Sequence, residues 1–401
     1  MKPSIVVSGM GMYTALGKGL QANYNALSHQ EHALGPLDFL KTTHAASFPF
    51  GEIKQSTQSL LQSLQLPIHK GYTRTSLLGI TALQEALLHA GLHSFNQLKV
   101  GIVNATTVGG MCEVEKYYFD LLDHVGDYTE FSDTIDCADC THRLADFFHI
   151  KHFVTTISTA CSSSANAIML GTRLVSQGHL DIAICGGTDA LTRFTINGFN
   201  ALKNIDKALC KPFDAERNGL NLGEGAAYVI IERADDCAKR NHIPLASISG
   251  YCNFNESFHA TAPNPEGEGA YQVMKRALAK ANLQPHEIQY INAHGTATLT
   301  NDESESNAMK RLFQQVPAFS STKCYTGHTL AAAGAVEAIF SVMALKEQCV
   351  FANLNFQHAM PEAQLIPQLH FEHQSIQHVM SNSFAFGGNN ASLIFSKIEN
   401  T

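Results

Sequence analysis

Short apolar runs bounded by glycine alternate along this chain with longer stretches of helical periodicity. The runs SIVVSGMG, KVGIVNAT, LDIAICGGTD and AAYVIIER are rich in β-branched residues, which is typical of buried strands. Strands that alternate with helices pack as layers of sheet and helix. The pattern therefore predicts an α/β fold. Because 45% of the 401 residues are hydrophobic, the chain can bury a large core.

Two pairs of segments resemble each other across the chain. GLNLGEGAAYVIIE (219–232) and SFAFGGNNASLIFS (383–396) each run from a glycine turn into an apolar strand. SIVVSGMGMYTALG, near the N-terminus, is partly matched by LASISGYCNFNES (245–257). These similarities suggest a duplicated fold with two halves, 1–245 and 246–401. No low-complexity linker separates the halves, so we expect them to pack against each other.

Composition narrows the possible functions. The formal net charge of -8 argues against a nucleic-acid-binding protein. No apolar stretch reaches the roughly 20 residues of a membrane helix, since GAVEAIFSVMAL contains Glu337. The N-terminus lacks the apolar run of a signal peptide, and the ten cysteines show no regular framework, so we expect reduced thiols and a cytoplasmic location. CADCTH (137–142) has no second cysteine pair at ligand spacing, so no metal site is expected.

Cys161 lies among very small residues in TACSSSANA (159–167). The strand-like FVTTIST precedes it and SANAIMLGTRLVSQG follows with helical spacing, which predicts a strand–turn–helix junction. Unpaired N–H groups at a helix N-terminus would lower the pKa of the thiol, and the small neighbours leave room for an attached group. A buried structural cysteine is the alternative, and from this segment alone it is the more common outcome.

Two later segments carry polar residues that could serve such a cysteine. In NAHGTATLTND (292–302), His294 follows the strand-like IQYIN, so its ring is expected at a strand end, where catalytic groups tend to lie. In KCYTGHTLAAAGAVEAIF (323–340), Lys323 and His328 flank a Thr-Gly turn before a helix of small residues that must pack closely. Because the chain has 20 histidines, the combination rather than either histidine alone favours a site.

Together these motifs resemble the β-ketoacyl-acyl-carrier-protein synthases, the elongating condensing enzymes of the thiolase superfamily. TACSSSANAI, NAHGTATLTND, KCYTGHTLAAAGAVEA and NSFAFGGNNASLIF occur in the family's order, and VVSGMGMYTALG and KPFDAERNGLNLGEGAAYVIIE also fit. The resemblance implies a thiolase-like, duplicated, five-layered αβαβα sandwich that usually dimerises. The nucleophilic cysteine would lie in the N-terminal half and both histidines in the C-terminal half.

The resemblance also implies a decarboxylative Claisen condensation. Cys161 would accept an acyl chain from the phosphopantetheine arm of an acyl carrier protein, and malonyl-carrier protein would lose carbon dioxide to give the attacking enolate. In the family's pattern His294 and His328 donate N–H bonds to the malonyl thioester oxygen, Lys323 supports them, and Glu337 pairs with Lys323. No bound metal or nucleotide cofactor is implied.

Further positions follow from the same resemblance. Phe386 matches a gating phenylalanine, and its backbone N–H would form a second oxyanion hole with that of Cys161; a core aromatic is the alternative interpretation. The positions expected to contact the substrate are Val108, Phe199, Thr296 and Thr298. Because carrier proteins are acidic, a locally basic entrance is expected, although each charge alone also fits an ordinary solvated surface. The candidates for this entrance are Lys70, Arg74, Lys203, Lys207 and Lys211.

Several positions depart from the usual primary fatty-acid enzyme. Ala385 stands where glycine is common, Asn389 stands where threonine is common, TLTND replaces Thr-Pro-x-Gly-Asp, and TINGFNALKNIDKALC precedes KPFD. These differences favour an accessory type II pathway, such as aryl polyene or polyketide synthesis. A chain-length-factor-like partner subunit with a structural role is the alternative function, but such subunits typically lack the cysteine. A homodimer and a heterodimer with such a factor both stay open.

Overall fold

The computed structural model of the protein describes residues 3–67, 71–95, 97–123 and 131–398. Its strands are β1 (Ile5–Thr14), β2 (Gly17–Lys18), β3 (Val100–Ala105), β4 (Phe153–Ile157), β5 (Ile182–Asp189), β6 (Gly225–Arg233), β7 (Ala246–Asn255), β8 (Tyr290–Asn292), β9 (Ala318–Ser320), β10 (Cys349–Val350), β11 (Glu372–His373), β12 (His378–Phe384) and β13 (Asn389–Ser396). Its α-helices are α1 (Leu20–Ser28), α2 (Thr57–Ser63), α3 (Arg74–His89), α4 (Met111–Leu122), α5 (Cys137–Phe147), α6 (Ser163–Ser176), α7 (Arg193–Ala201), α8 (Ala234–Lys239), α9 (Glu268–Ala281), α10 (Leu299–Leu312), α11 (Lys323–Thr326) and α12 (Ala333–Glu347).

The long sheet consists of two runs of strands with the same order. The first run is β4-β3-β5-β6-β1 and the second is β9-β8-β12-β13-β7. In each run the first three strands are parallel, and the last two pair antiparallel to their neighbours. The runs join where Val6 and Val7 of β1 pair with Ser247 and Ala246 of β7. The suspected duplication is therefore confirmed, with β6 equivalent to β13 and β1 equivalent to β7.

Helices lie on both sides of each run and between the two runs. Helix α3 packs on β1 and β6 at one outer face, while α9 packs on β7 and β13 at the other, with α10 beside it. Helices α6 and α12 contact each other and both runs: α6 contacts β5 and β13, and α12 contacts β12 and β6. The predicted five-layered αβαβα arrangement is confirmed, and its middle layer is the pair α6 and α12.

The small residues of α12 allow the middle layer to pack closely. Every residue from Ala333 to Leu345 is buried. A Cβ atom placed on Gly334 would lie 2.8 Å from the backbone nitrogen of Ala165 in α6, so the two helices approach at a distance that requires glycine. The helix also carries the buried Glu337. Of the helices that the structure describes, none is long and apolar enough to cross a lipid bilayer.

Candidate active site

Cys161 lies at the predicted strand–turn–helix junction, between β4 and α6. The residue before it, Ala160, has a φ of +51°, which is unfavourable for a residue with a side chain. Ser163 stabilises this turn, because its hydroxyl donates to the Ala160 carbonyl at 2.6 Å and accepts from the Thr159 N–H at 2.8 Å. These contacts fix the position of the sulfur at the start of α6, in the wall of a cavity.

One cavity brings together side chains from four separate sequence motifs. The predicted residues that line it are Cys161, Phe199, His294, Thr296, Thr298, His328 and Phe386. The sulfur of Cys161 and a ring nitrogen of each histidine all lie within 4.8 Å of one another. This spacing suits a shared substrate atom and would also suit a metal ion, so the expectation of no metal stays a prediction.

The fold fixes the orientation of the His328 ring. Its backbone lies beside the GLNLGEG motif, where the His328 N–H donates to the Asn221 carbonyl at 2.7 Å and Gly223 N–H donates to the His328 carbonyl at 3.0 Å. The ring Nδ1 accepts the Leu330 N–H at 3.0 Å, so in the neutral imidazole the proton is on Nε2. That Nε2 is buried and has no hydrogen-bond partner among the described residues. It is a donor without an acceptor.

Lys323 fixes His294 in the same tautomer. The Lys323 ammonium donates to the His294 carbonyl at 2.7 Å, to its Nδ1 at 3.3 Å, and to Glu337 Oε1. Because an ammonium can only donate, His294 Nδ1 is an acceptor and its proton is on Nε2. Pairing with Glu337 compensates the charge of Lys323, which is fully buried. The predicted pairing of Lys323 with Glu337 is present, and the same ammonium contacts His294 directly.

Both imidazoles are neutral at physiological pH. Burial lowers the pKa of His294 and of His328 well below the usual 6.5, and the positive charge of Lys323 lowers both further. The rings lie 5.7 Å apart, centre to centre, and are nearly perpendicular. The site therefore presents two uncharged N–H donors beside a thiol.

The Cys161 thiol is protonated in the resting site. Burial raises its pKa to about 11, against the lowering effects of the Lys323 charge and of the backbone N–H groups of Phe386 and Cys161. The backbone N–H of Cys161, at the start of α6, does lower this pKa as expected, but the loss of solvation on burial raises it by more. The two N–H groups assigned by resemblance to an oxyanion hole do both act on the sulfur.

Glu305 was not predicted from the sequence, although it contacts the site. Its buried carboxylate, on α10, accepts the backbone N–H of His294 at 3.0 Å and of Gly295 at 2.8 Å. Burial raises the pKa of Glu305 to about 7, against these hydrogen bonds. A signal was present, since Asp302 and Glu305 share one helix face just after the histidine motif, and Asp302 likewise accepts the Ala297 N–H at 3.1 Å.

Phe386 lies on a short turn that needs glycine. Its ring stacks on that of Phe199, with 5.7 Å between centroids and 24° between planes. Gly387 and Gly388 have φ angles of +80° and +78°, and a Cβ on Gly388 would lie 2.0 Å from the Glu256 carbonyl oxygen. Gly387 N–H donates to the Ala260 carbonyl at 2.8 Å, which ties the turn to a neighbouring cavity wall.

Of the remaining residues predicted to contact the substrate, two lie in the cavity wall and one lies behind it. The hydroxyls of Thr296 and Thr298 lie 2.9 Å apart in the cavity wall. Val108 is buried behind that wall, in an apolar cluster that includes Leu220, which does line the cavity. Val108 therefore shapes the cavity through its neighbours.

The predicted basic entrance is only partly supported. Lys203 and Lys207 are exposed, whereas Lys211 is half-buried and pairs with Glu216 at 3.3 Å. Arg74 as an entrance residue is wrong: its guanidinium is buried and donates to both oxygens of Glu224. A buried, fully paired cation offers no charge to a partner. Lys70 lies outside the described residues.

Comparison with known proteins identifies the family of this chain. Residues 2–237 match the model of the β-ketoacyl synthase N-terminal domain, and residues 245–357 match that of the C-terminal domain. A putative mitochondrial 3-oxoacyl-[acyl-carrier-protein] synthase of Schizosaccharomyces pombe is 31% identical, over 98% of this chain and 99% of that protein. The ishigamide ketosynthase/chain length factor structure superposes with a TM-score of 0.93 at 25% identity, covering 100% of both chains. A ketosynthase in complex with its chain length factor from Xenorhabdus doucetiae superposes with a TM-score of 0.86 at 29% identity, over 99% of this chain and 98% of that one.

The matched domains cover most of the chain, and relatives of about the same length are 30% identical or more. The chain therefore belongs to the β-ketoacyl synthase family and is an acyltransferase of that family.

Proposed function

We propose that this protein elongates acyl chains by condensing malonyl-carrier protein with an acyl group held on Cys161. The observation that supports this most directly is the convergence of a thiol and two neutral imidazole N–H donors, within 4.8 Å, on one cavity. A thiol supplies covalent catalysis, and fixed donors stabilise charge that develops on an oxygen. Acyl-carrier-protein is named in the curated relatives.

The first step is a transfer of the acyl group between two sulfurs. The Cys161 thiol loses its proton and attacks the thioester carbonyl of an acyl-phosphopantetheine arm, and the backbone N–H groups of Cys161 and Phe386 stabilise the tetrahedral oxyanion. The carbon–sulfur bond to the arm breaks, and the departing arm takes up a proton. Because the resting pKa of Cys161 is about 11, the Lys323 charge and these N–H groups are what favour the thiolate during attack.

The second step forms the carbon–carbon bond. Malonyl-carrier protein loses carbon dioxide, and the electron pair of the broken bond forms an enolate whose oxygen accepts the Nε2–H groups of His294 and His328. The enolate carbon attacks the acyl-cysteine carbonyl. The Cys161 sulfur leaves and is protonated, so the products are β-ketoacyl-carrier protein, carbon dioxide and the free thiol.

Lys323 and Glu337 act through the histidines in this proposal. Lys323 holds the His294 tautomer and lowers the pKa of both imidazoles, so that they remain donors. Phe386, stacked on Phe199, closes the acyl cavity, while Thr296 and Thr298 contact the incoming arm. Val108 limits the cavity from behind.

We also propose an acidic carrier protein as partner and a dimer as the working form. The exposed Lys203 and Lys207, with the half-buried Lys211, supply positive charge on a chain of formal net charge -8. The Xenorhabdus relative is a complex with a chain length factor. That relation and the departures at Ala385 and Asn389 support an accessory type II pathway and a homologous partner chain. Ten unpaired cysteines support a cytoplasmic location.

The test is to incubate the protein with acyl- and malonyl-loaded carrier proteins and to follow the masses of protein and carrier. We expect acylation at Cys161, then malonate-dependent lengthening of the carrier-bound chain, and neither with Cys161→Ala. His294→Ala and His328→Ala should still be acylated but should condense about 10²- to 10³-fold more slowly. His358→Ala, at an exposed histidine, is the matched control.

The same experiment tests the alternative of a structural subunit. If no carrier acylates the folded protein, alone or with a candidate homologous partner, the catalytic proposal is wrong. A protein that raises the activity of its partner without itself being acylated would be a chain-length-factor-like subunit.

A further inference from the structure

The turn that carries Phe386 is joined to the nucleophile turn by a cluster of polar side chains. We define the Asn389 cluster as Asn389, Ser162, Asn166 and Thr159. Oδ1 of Asn389 lies 2.8 Å from Ser162 Oγ and 2.8 Å from Asn166 Nδ2, and accepts from both. The same amide group of Asn166 donates to Thr159 Oγ1 at 2.9 Å. The cluster therefore spans the two halves of the duplicated fold at Cys161.

The members of this cluster lie close in sequence to the nucleophile on one side and to Phe386 on the other. Thr159 and Ser162 flank Cys161, and Asn166 is one helical turn further along α6. Asn389 is three residues after Phe386, whose backbone N–H acts on the Cys161 sulfur. Between them stand two glycines with positive φ, which restrain the backbone little. Backbone hydrogen bonds hold this turn on its other side, from Gly387 N–H to the Ala260 carbonyl at 2.8 Å and from Glu256 N–H to the Gly388 carbonyl at 3.0 Å. The Asn389 cluster is what joins the turn to the start of α6.

We propose that Asn389 is a positioning residue for the nucleophile: its carboxamide holds the Phe386 turn against the start of α6, so that the Phe386 N–H stays directed at Cys161. The proposal rests on the proposed function for its catalytic consequence, but not for its geometry. Threonine is common at this position in the enzymes that the sequence resembles. Its side chain is shorter than that of Asn389, whose carboxamide oxygen here accepts two hydrogen bonds.

The cluster is buried enough to matter. Ser162 is fully buried and Asn166 is 8% exposed, so an acceptor lost at position 389 cannot be replaced freely by water. The Asn389 oxygen is shared by two donors, each of which also has an acceptor in Thr159: the carbonyl oxygen for Ser162 Oγ at 2.9 Å, and Oγ1 for Asn166 Nδ2 at 2.9 Å. Removing the Asn389 oxygen therefore breaks the link between the two turns. We therefore expect changes at Asn389 and at Asn166 to act on the same interaction and not to add.

Two measurements test this inference on Asn389→Ala, Asn166→Ala and the double variant. The first is the rate of Cys161 acylation by acyl-carrier protein, at low and at saturating carrier. We expect Asn389→Ala to slow the saturated rate about tenfold, as the loss of one or two neutral hydrogen bonds permits, with KM little changed. The double variant should be no slower than Asn389→Ala. Asn253→Ala, at an exposed position beside Ala391 of β13, is the control and should leave the rate unchanged.

The second measurement is alkylation of Cys161 by iodoacetamide across pH, which needs no carrier protein. If the Phe386 N–H is withdrawn in Asn389→Ala, the thiolate loses a donor and the alkylation rate falls by the same factor at every pH below the thiol pKa. A faster reaction would mean that Asn389 only shields the thiol, and would overturn the inference. So would strictly additive effects of Asn389→Ala and Asn166→Ala, or an Asn389→Ala rate equal to that of Asn253→Ala.

The two measurements separate this inference from the proposed function. If no carrier acylates the wild-type protein but Asn389→Ala still alkylates more slowly, the positioning role stands and the proposed function fails. If the wild-type protein is acylated and both rates of Asn389→Ala are unchanged, only the role of Asn389 fails. Asn389→Asp is a second variant for the case in which the alanine variant unfolds. Its carboxylate still accepts hydrogen bonds, so the turn should be retained. Its negative charge disfavours the thiolate, so the reactivity of Cys161 should fall.

Discussion

At the scale of single residues, the site shows which properties a sequence reveals and which it does not. Cys161, His294, Lys323 and His328 could be selected because each lies in a short motif with its own chemistry. The pKa of Cys161 could not be judged, because burial depends on the whole surrounding fold and raises it to about 11. The histidine tautomers depend on contacts with Lys323 and Leu330, which also need the folded chain.

The pKa directions of the histidines predict an unusual pH dependence. Both rings should remain neutral donors well below pH 6.5, so the rate of malonyl-carrier decarboxylation should not fall as pH drops through the ordinary histidine range. Because Lys323 lowers both pKa values, Lys323→Met should raise them and move the acid limb of the rate profile to higher pH. The measurement is carbon dioxide release between pH 5.5 and 8.5, a range chosen around the usual histidine value.

Titration of Glu337 would also change the rate profile in this pH range, because burial raises its pKa to about 7, against the charge of Lys323. Glu305, which accepts the His294 N–H, also has its pKa raised by burial to about 7. Making both measurements in a Glu305→Gln, Glu337→Gln background removes both titrations. Lys239→Met, at an exposed surface lysine, is the control and should leave the profile unchanged. In this background, an acid limb centred near 6.5 with Lys323 present would show that the imidazoles titrate normally and would contradict the prediction.

At the scale of helices and strands, local patterns were reliable guides. Strands β1, β3, β5 and β6 and helix α6 lie where the apolar runs and helical spacing predict them. The faint repeat proved to reflect two runs of strands in one order. The sequence pattern could not assign α6 and α12 to the same layer, because their contact joins residues about 170 positions apart, as in the bond from Ala335 N–H to Ser164 Oγ. The boundary at 245/246 stays a prediction.

The close contact of α12 with α6 predicts opposite effects for two glycines in helices. Gly334→Ala should destabilise the protein by about 1–3 kcal/mol, because the added methyl would lie 2.8 Å from the Ala165 nitrogen in a fully packed layer. Gly198→Ala, in α7, meets nothing within 4 Å and should stabilise the protein by about 0.5–1 kcal/mol through helix propensity. Urea unfolding midpoints measure both. Equal shifts in the two variants would show that packing at Gly334 is not limiting.

At the scale of the whole molecule, the location of charged side chains was the property hardest to predict from the sequence. Arg74 was interpreted as a surface residue because most arginines are solvated. Its partner Glu224 is 150 positions away, and Glu224 also accepts the N–H groups of Ile53 and Leu191. The guanidinium therefore joins distant segments inside the protein. Of the predicted entrance residues that the structure describes, Lys203, Lys207 and Lys211 remain candidates.

The edge of the sheet indicates where a second chain would bind. Strand β4 ends one run and, among the described residues, has a strand partner only in β3. All five of its residues are half-buried, and they include the β-branched Val154 and Thr155. Helices α4 and α7, which contact each other, also expose large apolar side chains, among them Phe119 and Phe194. Exposed apolar edges of this kind are usually covered by another strand.

This edge predicts a dimer in which β4 pairs with its equivalent in a second copy or in a homologous chain. Successive residues of a strand direct their N–H groups to opposite edges, so one of Val154 and Thr155 faces β3 and the other faces outward. Proline at the inward position should unfold the sheet, whereas proline at the outward position should leave a folded monomer, because it removes only the intermolecular bond.

Light scattering with chromatography gives the mass, and circular dichroism reports the fold. A folded proline variant that remains dimeric would place the interface elsewhere. A wild-type chain that is monomeric until a chain length factor is added would identify the partner as the homologue, and the outward proline should then abolish that complex as well.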